Sequence, residues 1–556
     1  MPVVFPGMIF IKPVSTITVR PVSGLIDPGY RRGFLLTRYT GRFWLSYNYK
    51  FNNHKICLIF ENMNPTKTVM RILKYFIICF FLSHCNTDNY SNISSLDREP
   101  VIEPDYSGVT IPWNIAPMNF IIREDGDFFK VRVKSSNGLT IEMNSKSGIV
   151  RIPKKSWRKI LSANRGGKIE IYVISEDNEG KFIRFNPFYI NISNESVDPY
   201  LCYRLLYPGY EFWRELKIEQ RSTESFRKKS VVENQLLNDN CINCHSFSRN
   251  DPDKLLLHVR GSVGGTYFFD GKDLIRRDLQ AGEMTANAVY PSWHPSGNYV
   301  AFSSNKTVQS FHMRPEKNID VYDLYSSLVV YDTRSNEISF CGMKDSLYME
   351  TFPYWSPDGN LLYYCRTDQV GENFDIKNVK YDLVRKSFNQ ESGTFGNTEI
   401  VFNAREIGKS ISFPTVSPDG QYLIFTLQDY GTFPIWNREA DLYLMDLKNL
   451  KADKMSLNSN ETESYHSWSS NGKWIVFSSK RGDGLTARPY IAFFDSPDSV
   501  GKPFVLPQKD PAIYARMEKT FNRPEFVKGQ IKTGPRDFAR ASKKESVKAL
   551  WANNRK

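Results

Sequence analysis

The chain has no long apolar run. No stretch reaches 18 apolar residues, which excludes a bundle of membrane-spanning helices. Cysteine is sparse, 8 in 556 residues, so a dense disulfide framework is not what holds the fold. Three catalytic signatures are missing: G-x-S-x-G, G-x-x-x-x-G-K-[ST] and H-E-x-x-H. Their absence argues against a serine hydrolase elbow, a P-loop and a zinc protease helix. Disorder throughout is excluded, because 41% hydrophobic and 14% aromatic residues supply ample core. The length suggests three or four units, or fewer if one is a large β-fold.

The net charge of +13 looks like a nucleic-acid signal, but its distribution says otherwise. Residues 1–69 and residues 527–556 each carry 9 Lys/Arg against 2 Asp/Glu, and the stretch between them is close to neutral at −1. A nucleic-acid binder carries its basic face on the folded body, so no nucleic-acid partner is expected. The basic tail from Lys528 to Lys556 is expected to be a solvated terminus.

An address stands inside the sequence. Met70-Arg71-Ile72-Leu73-Lys74 precedes an eight-residue apolar run, Tyr75 to Leu82, then Ser83-His84-Cys85 and a polar stretch. A basic segment followed by a short apolar core is the pattern of a secretory signal. It resembles a bacterial lipoprotein signal, which implies Cys85 as the lipidated first residue of the mature chain. His84 stands where a small residue is usual. Translation is expected to start at Met70 or Met63, with 1–69 an over-extended reading frame. The mature protein is expected in the envelope of a Gram-negative bacterium, on the periplasmic or outer-membrane face, held to the membrane by lipid.

Residues 86–100 are polar and predicted to be a tether. From 101 to 196 the chain alternates apolar and polar residues, as in Phe129-Lys130-Val131-Arg132-Val133, which predicts a small β-sandwich with one helix near 156–163. Residues 197–253 form an aromatic-rich and then polar segment, predicted to be partly helical. From 254 to 526 the sequence is repetitive. Tyr290-Pro291-Ser292-Trp293-His294-Pro295-Ser296-Gly297 aligns with Phe352 to Gly359, Phe413 to Gly420 and Tyr465 to Gly472, each followed by an apolar strand. The fourth position of these segments recurs after 62, 61 and 52 residues. Asp-Gly and Asn-Gly suit a tight turn between strands, and Pro cannot sit in a central ladder. These are the marks of propeller blades. With a degenerate unit at Gly265 to Asp278, five blades are traceable.

The Trp-Ser-Pro-Asp-Gly repeats resemble those of the TolB-like, WD-like β-propellers. The resemblance covers about 255–506 and implies a six-bladed, all-β fold preceded by a sandwich-like domain and a short helical segment. It says little of function, because propellers serve as enzymes, scaffolds and binding discs alike.

Cys241-Ile242-Asn243-Cys244-His245 is the one chemical motif. C-x-x-C-H is the attachment pattern of c-type haem: two thiols form thioethers and the adjacent His ligates iron. Three alternatives stay open: a zinc site needing a fourth ligand, a redox dithiol, and a structural disulfide or free thiols. The run from Cys241 through Asp251-Pro252 and His258-Val259-Arg260-Gly261 to Gly264-Gly265-Thr266 resembles TolB-like propeller lipoproteins of Bacteroidetes type, which carry the motif just before the first blade. That narrower resemblance runs from about Asp198 to Phe526. It implies covalent haem c and its iron on Cys241, Cys244 and His245. His258 is the first candidate for a sixth ligand, with His312, Met284 and Met313 as others. Arg260 is the candidate partner of a haem propionate. Cys202, Cys341 and Cys365 are expected to be buried apolar residues.

The function expected is electron transfer, or redox-linked binding of an envelope partner. A non-enzymatic interaction scaffold, and a haem enzyme or biogenesis-associated factor, are the alternatives.

Overall fold

The computed structural model describes residues 93–552, apart from 209–214, 313–316, 318 and 343–345, and the backbone of three earlier strands. Those strands, Phe34–Tyr39, Arg42–Phe51 and His54–Ile59, form an antiparallel meander in a unit of their own, Met1–Asn89. The segment 70–85, expected to be a signal and including Cys85, lies outside the described residues.

The second unit, Tyr90–Lys556, is almost entirely β. Its first part is sandwich-like. A seven-stranded sheet is built around Phe128–Ser135 and Lys168–Glu176, and a three-stranded sheet comprises Ile102–Glu103, Phe120–Ile122 and Ile149–Val150. The alternating burial of Lys168–Glu176 follows its alternating sequence, because successive side chains of a strand face opposite ways. The one helix here, Lys154–Ala163, buries Trp157, Ile160 and Leu161, spaced for a single helical face.

Six radial sheets follow. Blades one to five begin at the inner strands Cys241–Phe247, Ala288–Trp293, Tyr348–Trp355, Ser410–Val416 and Glu463–Trp468. Each of these strands pairs antiparallel with the next strand of its own blade. The sixth blade is composite. Tyr200–Leu206, Lys217–Ser222 and Lys228–Glu233 supply its outer strands, and Thr520–Val527 returns from the far end of the chain as its inner strand. Within this unit these six sheets form a six-bladed β-propeller, its last blade joining strands from before the first blade and after the fifth.

All six inner strands share one irregularity. Their register slips across two residues: Cys244-His245, Tyr290-Pro291, Phe352-Pro353, Phe413-Pro414, Tyr465-His466 and Arg523-Pro524. A bulge of this kind bends the strand and re-aims its side chains. In five blades its first residue has positive φ, between 47° and 54°, unusual for non-glycine residues. After the bulge, Ser356, Ser417 and Ser469 each accept from the backbone N–H five residues on and donate to Asp358, Asp419 or Asn471. The glycine closing each of these turns has φ of 70–80°, a conformation glycine adopts without strain. Trp355 and Trp468 are buried. Trp468 donates to the Thr415 carbonyl of blade four at 3.3 Å, so the repeat's tryptophan wedges between blades.

Two expectations need correction. The segment 197–253 is not helical along its length. Among its described residues only the 3-10 turns Asn234–Leu237 and Ser248–Asn250 are, and the haem-type motif between them is an extended strand. Most residues of the strands at 200–206 and 217–222 are buried, so neither strand shows the clear alternation of a half-exposed one. The basic tail is not simply solvated. Its helix Pro535–Ser542 buries Phe538 and Ala541, and short strands at 547–548 and 550–551 pair with the outer edges of blades one and two. Cys202, Cys341 and Cys365 are buried and unpaired.

Candidate functional site

The motif occupies the inner strand of blade one, with Cys244 and His245 in its bulge. An extended strand carries positions 241 and 244 about 10 Å apart, against the roughly 5 Å pitch of one helical turn. Cys241 is half-buried and unpaired, opposite Arg260, and its sulfur receives the Asn243 amide at 3.1 Å. Arg204 of blade six donates to the Ile242 carbonyl and to Asn243, bracing the strand.

His245 is 1% exposed and its Nε2 has no hydrogen-bond partner among the described residues. Burial, with Arg523 and Arg204 nearby, pushes its pKa down to about 3; a hydrogen bond to the Arg523 main chain opposes this. The ring is therefore neutral, the state a metal-binding imidazole needs. His258 is also buried, with Nδ1 3.4 Å from Thr266 Oγ1 and Nε2 unpartnered. Burial and then Arg260 lower its pKa to about 3.

In register His258 stands opposite Asn243, on the strand paired with that of His245. The arginines beside His245 belong to blade six. His258 and Arg260 instead line a 260 Å³ cavity toward blade two, with Ala286, Asn287, Val289 and Asn305. His312 is hydrogen-bonded to Asp320 at 2.8 Å on the long hairpin of blade two. Met284 is packed in the core, and Met313 lies outside the described residues. Arg260 is exposed and stands opposite Cys241 in register.

The donor set fits a c-type haem in its chemistry: two cysteines three apart and a neutral imidazole with an unsatisfied Nε2. Among the described residues no cluster of three or more His, Cys, Asp or Glu side chains could hold a metal ion.

A second site went unnoticed in the sequence. The inner strands enclose an axial cavity of 420 Å³ on the side where they end. Bulge aromatics form its floor: Tyr290 and Phe352 have ring centroids 4.6 Å apart, Phe352 and Phe413 4.1 Å, Phe413 and Tyr465 5.0 Å. Phe433 of blade four packs on Tyr290 and Phe352 at 6.2 and 6.0 Å. Two positions after each bulge start come Ser246, Ser292, Tyr354, Thr415, Ser467 and Glu525, five hydroxyls and one carboxyl. Glu525 accepts from Phe247 N–H at 3.1 Å. Burial pushes its pKa up to about 7, with Arg523 pulling the other way. The available signal was the X-Pro pair Arg523-Pro524, which repeats the bulge of the other blades.

His466 occupies in blade five the bulge position held by proline in blades two, three, four and six. It is buried, its Nε2 lies 3.0 Å from the Ile424 carbonyl, and burial lowers its pKa to about 4. A histidine whose folded pKa lies below its unfolded value contributes fully above about pH 6.5, and loses that contribution as the pH falls. The loss approaches about 3 kcal/mol near pH 4. Glu525 and Asp323, raised to about 7 and about 6, act in the opposite sense over part of this range. His466→Pro isolates the histidine. The variant should match the parent within about 1 kcal/mol at pH 7 and gain on it steadily below pH 6.5. Parallel urea-midpoint curves against pH would refute this.

No family profile matches the chain, and no curated protein does. Solved structures that resemble parts of it include hydrazine synthase of Kuenenia stuttgartiensis, 15% identical over 45% of this chain and 76% of that one, TM-score 0.27. An oligogalacturonate lyase from Vibrio parahaemolyticus is 11% identical over 53% and 92%, TM-score 0.29. The Cps50 (Swd1) β-propeller domain of Myceliophteria thermophila is 10% identical over 47% and 72%, TM-score 0.27. Likeness this slight carries no functional argument. The class rests on the chain's own sheets: a β-propeller with a sandwich-like part before it.

Proposed function

We propose that the protein is an exported, lipid-tethered propeller holding one covalent c-type haem through Cys241 and Cys244, with His245 as the proximal donor. Its work is electron transfer with a partner docked on the envelope side. The observation that carries this reading is His245 itself. It follows Cys244 directly, is buried and neutral, and keeps its Nε2 unpartnered, although leaving a buried polar atom unsatisfied costs about 1–3 kcal/mol. A bound haem would supply one-electron redox chemistry. The chain's part is to keep His245 unprotonated, chiefly by burial, with Arg523 and then Arg204 acting in the same sense. The signal-like segment ending at Cys85 supports export and lipid attachment, and c-type attachment belongs outside the cytoplasm.

The test is expression from Met70 in a host with c-type maturation machinery, followed by intact mass and absorption spectra. The expected result is a mass gain of one haem, abolished by Cys241→Ala with Cys244→Ala, and a changed spectrum for His245→Ala. A well-folded product without haem would overturn the reading and leave a binding propeller.

A further inference from the structure

The axial cavity holds a mismatch of charge that the fold does not resolve. Arg523, Arg249 and Lys528 line it, against the single carboxyl of Glu525. Arg249 donates to the Pro357 carbonyl at 3.1 Å. The Arg523 side chain, at the level of the aromatic floor and 5.9 Å from the Phe413 ring centroid, makes no hydrogen bond or ion pair of its own among the described residues. Thr415 Oγ1, in the hydroxyl ring, is also unpartnered. A guanidinium in a half-enclosed space gains from a planar oxyanion that accepts two of its N–H groups. Glu525 does not neutralise it fully, because burial leaves that carboxyl part-protonated at neutral pH.

The backbone points the same way. Positive φ recurs at Tyr290, Phe352, Phe413, Tyr465 and Arg523, all lining this cavity. Each such non-glycine residue costs about 1–3 kcal/mol, and such strain gathers at functional sites. The bulges aim four rings and one guanidinium at a single space.

We propose that this cavity binds a small carboxylate that also carries hydroxyl groups, an aliphatic hydroxy acid of about six carbons. Arg523 takes the carboxylate in the fork geometry. The ring of Ser246, Ser292, Thr415, Ser467 and Tyr354 meets the hydroxyls, and the aromatic floor packs the carbon chain. One deep cation suits a monoanion better than a dianionic phosphate. Arg249 and Lys528 lie outward of it, where cations raise the local concentration of an anion. The cavity's 420 Å³ is within the usual range for small-molecule sites. The proposal rests on lining residues alone and stands whether or not haem is attached.

Titration calorimetry on the full chain tests it, with D-gluconate, D-galactonate, acetate and inorganic phosphate as probes. The expected result is saturable one-site binding of gluconate or galactonate, at least tenfold tighter than acetate or phosphate. Arg523→Gln should weaken it at least tenfold. Thr415→Val, a near-isosteric change that keeps the strand, should weaken it several-fold and covers the case in which Arg523→Gln misfolds. The proposal falls if neither hydroxy acid binds the folded protein. It falls equally if phosphate binds as tightly, or if a folded Arg523→Gln and Thr415→Val both retain parental affinity.

Discussion

A chain ending at Lys519 is expected to show no cooperative unfolding transition and to be digested rapidly by protease. Thr520–Val527 is the inner strand of blade six, paired along Tyr200–Leu206. It buries Phe521, Phe526 and Val527 almost completely. Phe521 and Phe526 belong to the core that continues from the sandwich sheets into blades five and six, and Val527 to the core shared by blades six and one. Truncating one buried Phe costs about 3–5 kcal/mol, while a whole domain has only about 5–15 kcal/mol of net stability. Losing the strand also bares the backbone edge of Tyr200–Leu206 and removes Phe538, which packs 5.8 Å from Tyr267. A chain ending at Ser546 is the control. It loses only the outer-edge strands and should remain folded, at a cost of about 1–3 kcal/mol. Circular dichroism melts of the two truncations check the contrast. A folded, cooperative chain ending at Lys519 would show that the ends need not pair.

The second large effect is expected at Glu463, the fully buried first residue of the inner strand of blade five. Its carboxylate accepts from Ser459 N–H at 3.0 Å, Ser459 Oγ at 2.6 Å, Ser479 Oγ at 2.8 Å and Arg481 Nη2 at 3.0 Å. Arg481 also donates to the Leu457 carbonyl at 2.7 Å and lies over the Tyr490 ring, 4.6 Å from its centroid. Removing one partner of a buried pair leaves an uncompensated charge. Arg481→Met should therefore destabilise the protein by about 3–5 kcal/mol. Adding Glu463→Gln should recover part of that loss, because the stranded charge is then gone. Urea unfolding of both single variants and the double variant gives the coupling. Strictly additive losses would show that the pair acts as two independent contacts.

Blades two to five were legible because each carries its own turn chemistry within one stretch of sequence. The Ser-Pro-Asp-Gly turn, the bulge proline and the wedge tryptophan are local devices, readable without knowing the neighbours. Blade six was not legible. Its parts stand at 200–233 and 520–527, and no local signal joins them. Its inner strand keeps Arg523-Pro524 but lacks the Asp-Gly turn. The tail was misread because nine basic residues mask the i, i+3 apolar pair Phe538 and Ala541.

Composition and motif by themselves determined the all-β repeat and the chemistry available at Cys241, Cys244 and His245, because residue type and spacing fix propensity and donor identity. Only the tertiary structure decided that the motif lies in an inner-strand bulge and that His258 and Arg260 line a cavity toward blade two. It also decided that Arg523, Glu525 and Thr415 share one cavity. Those facts depend on which strands pair across hundreds of residues, and pairing at that range is set by the closure of the whole ring.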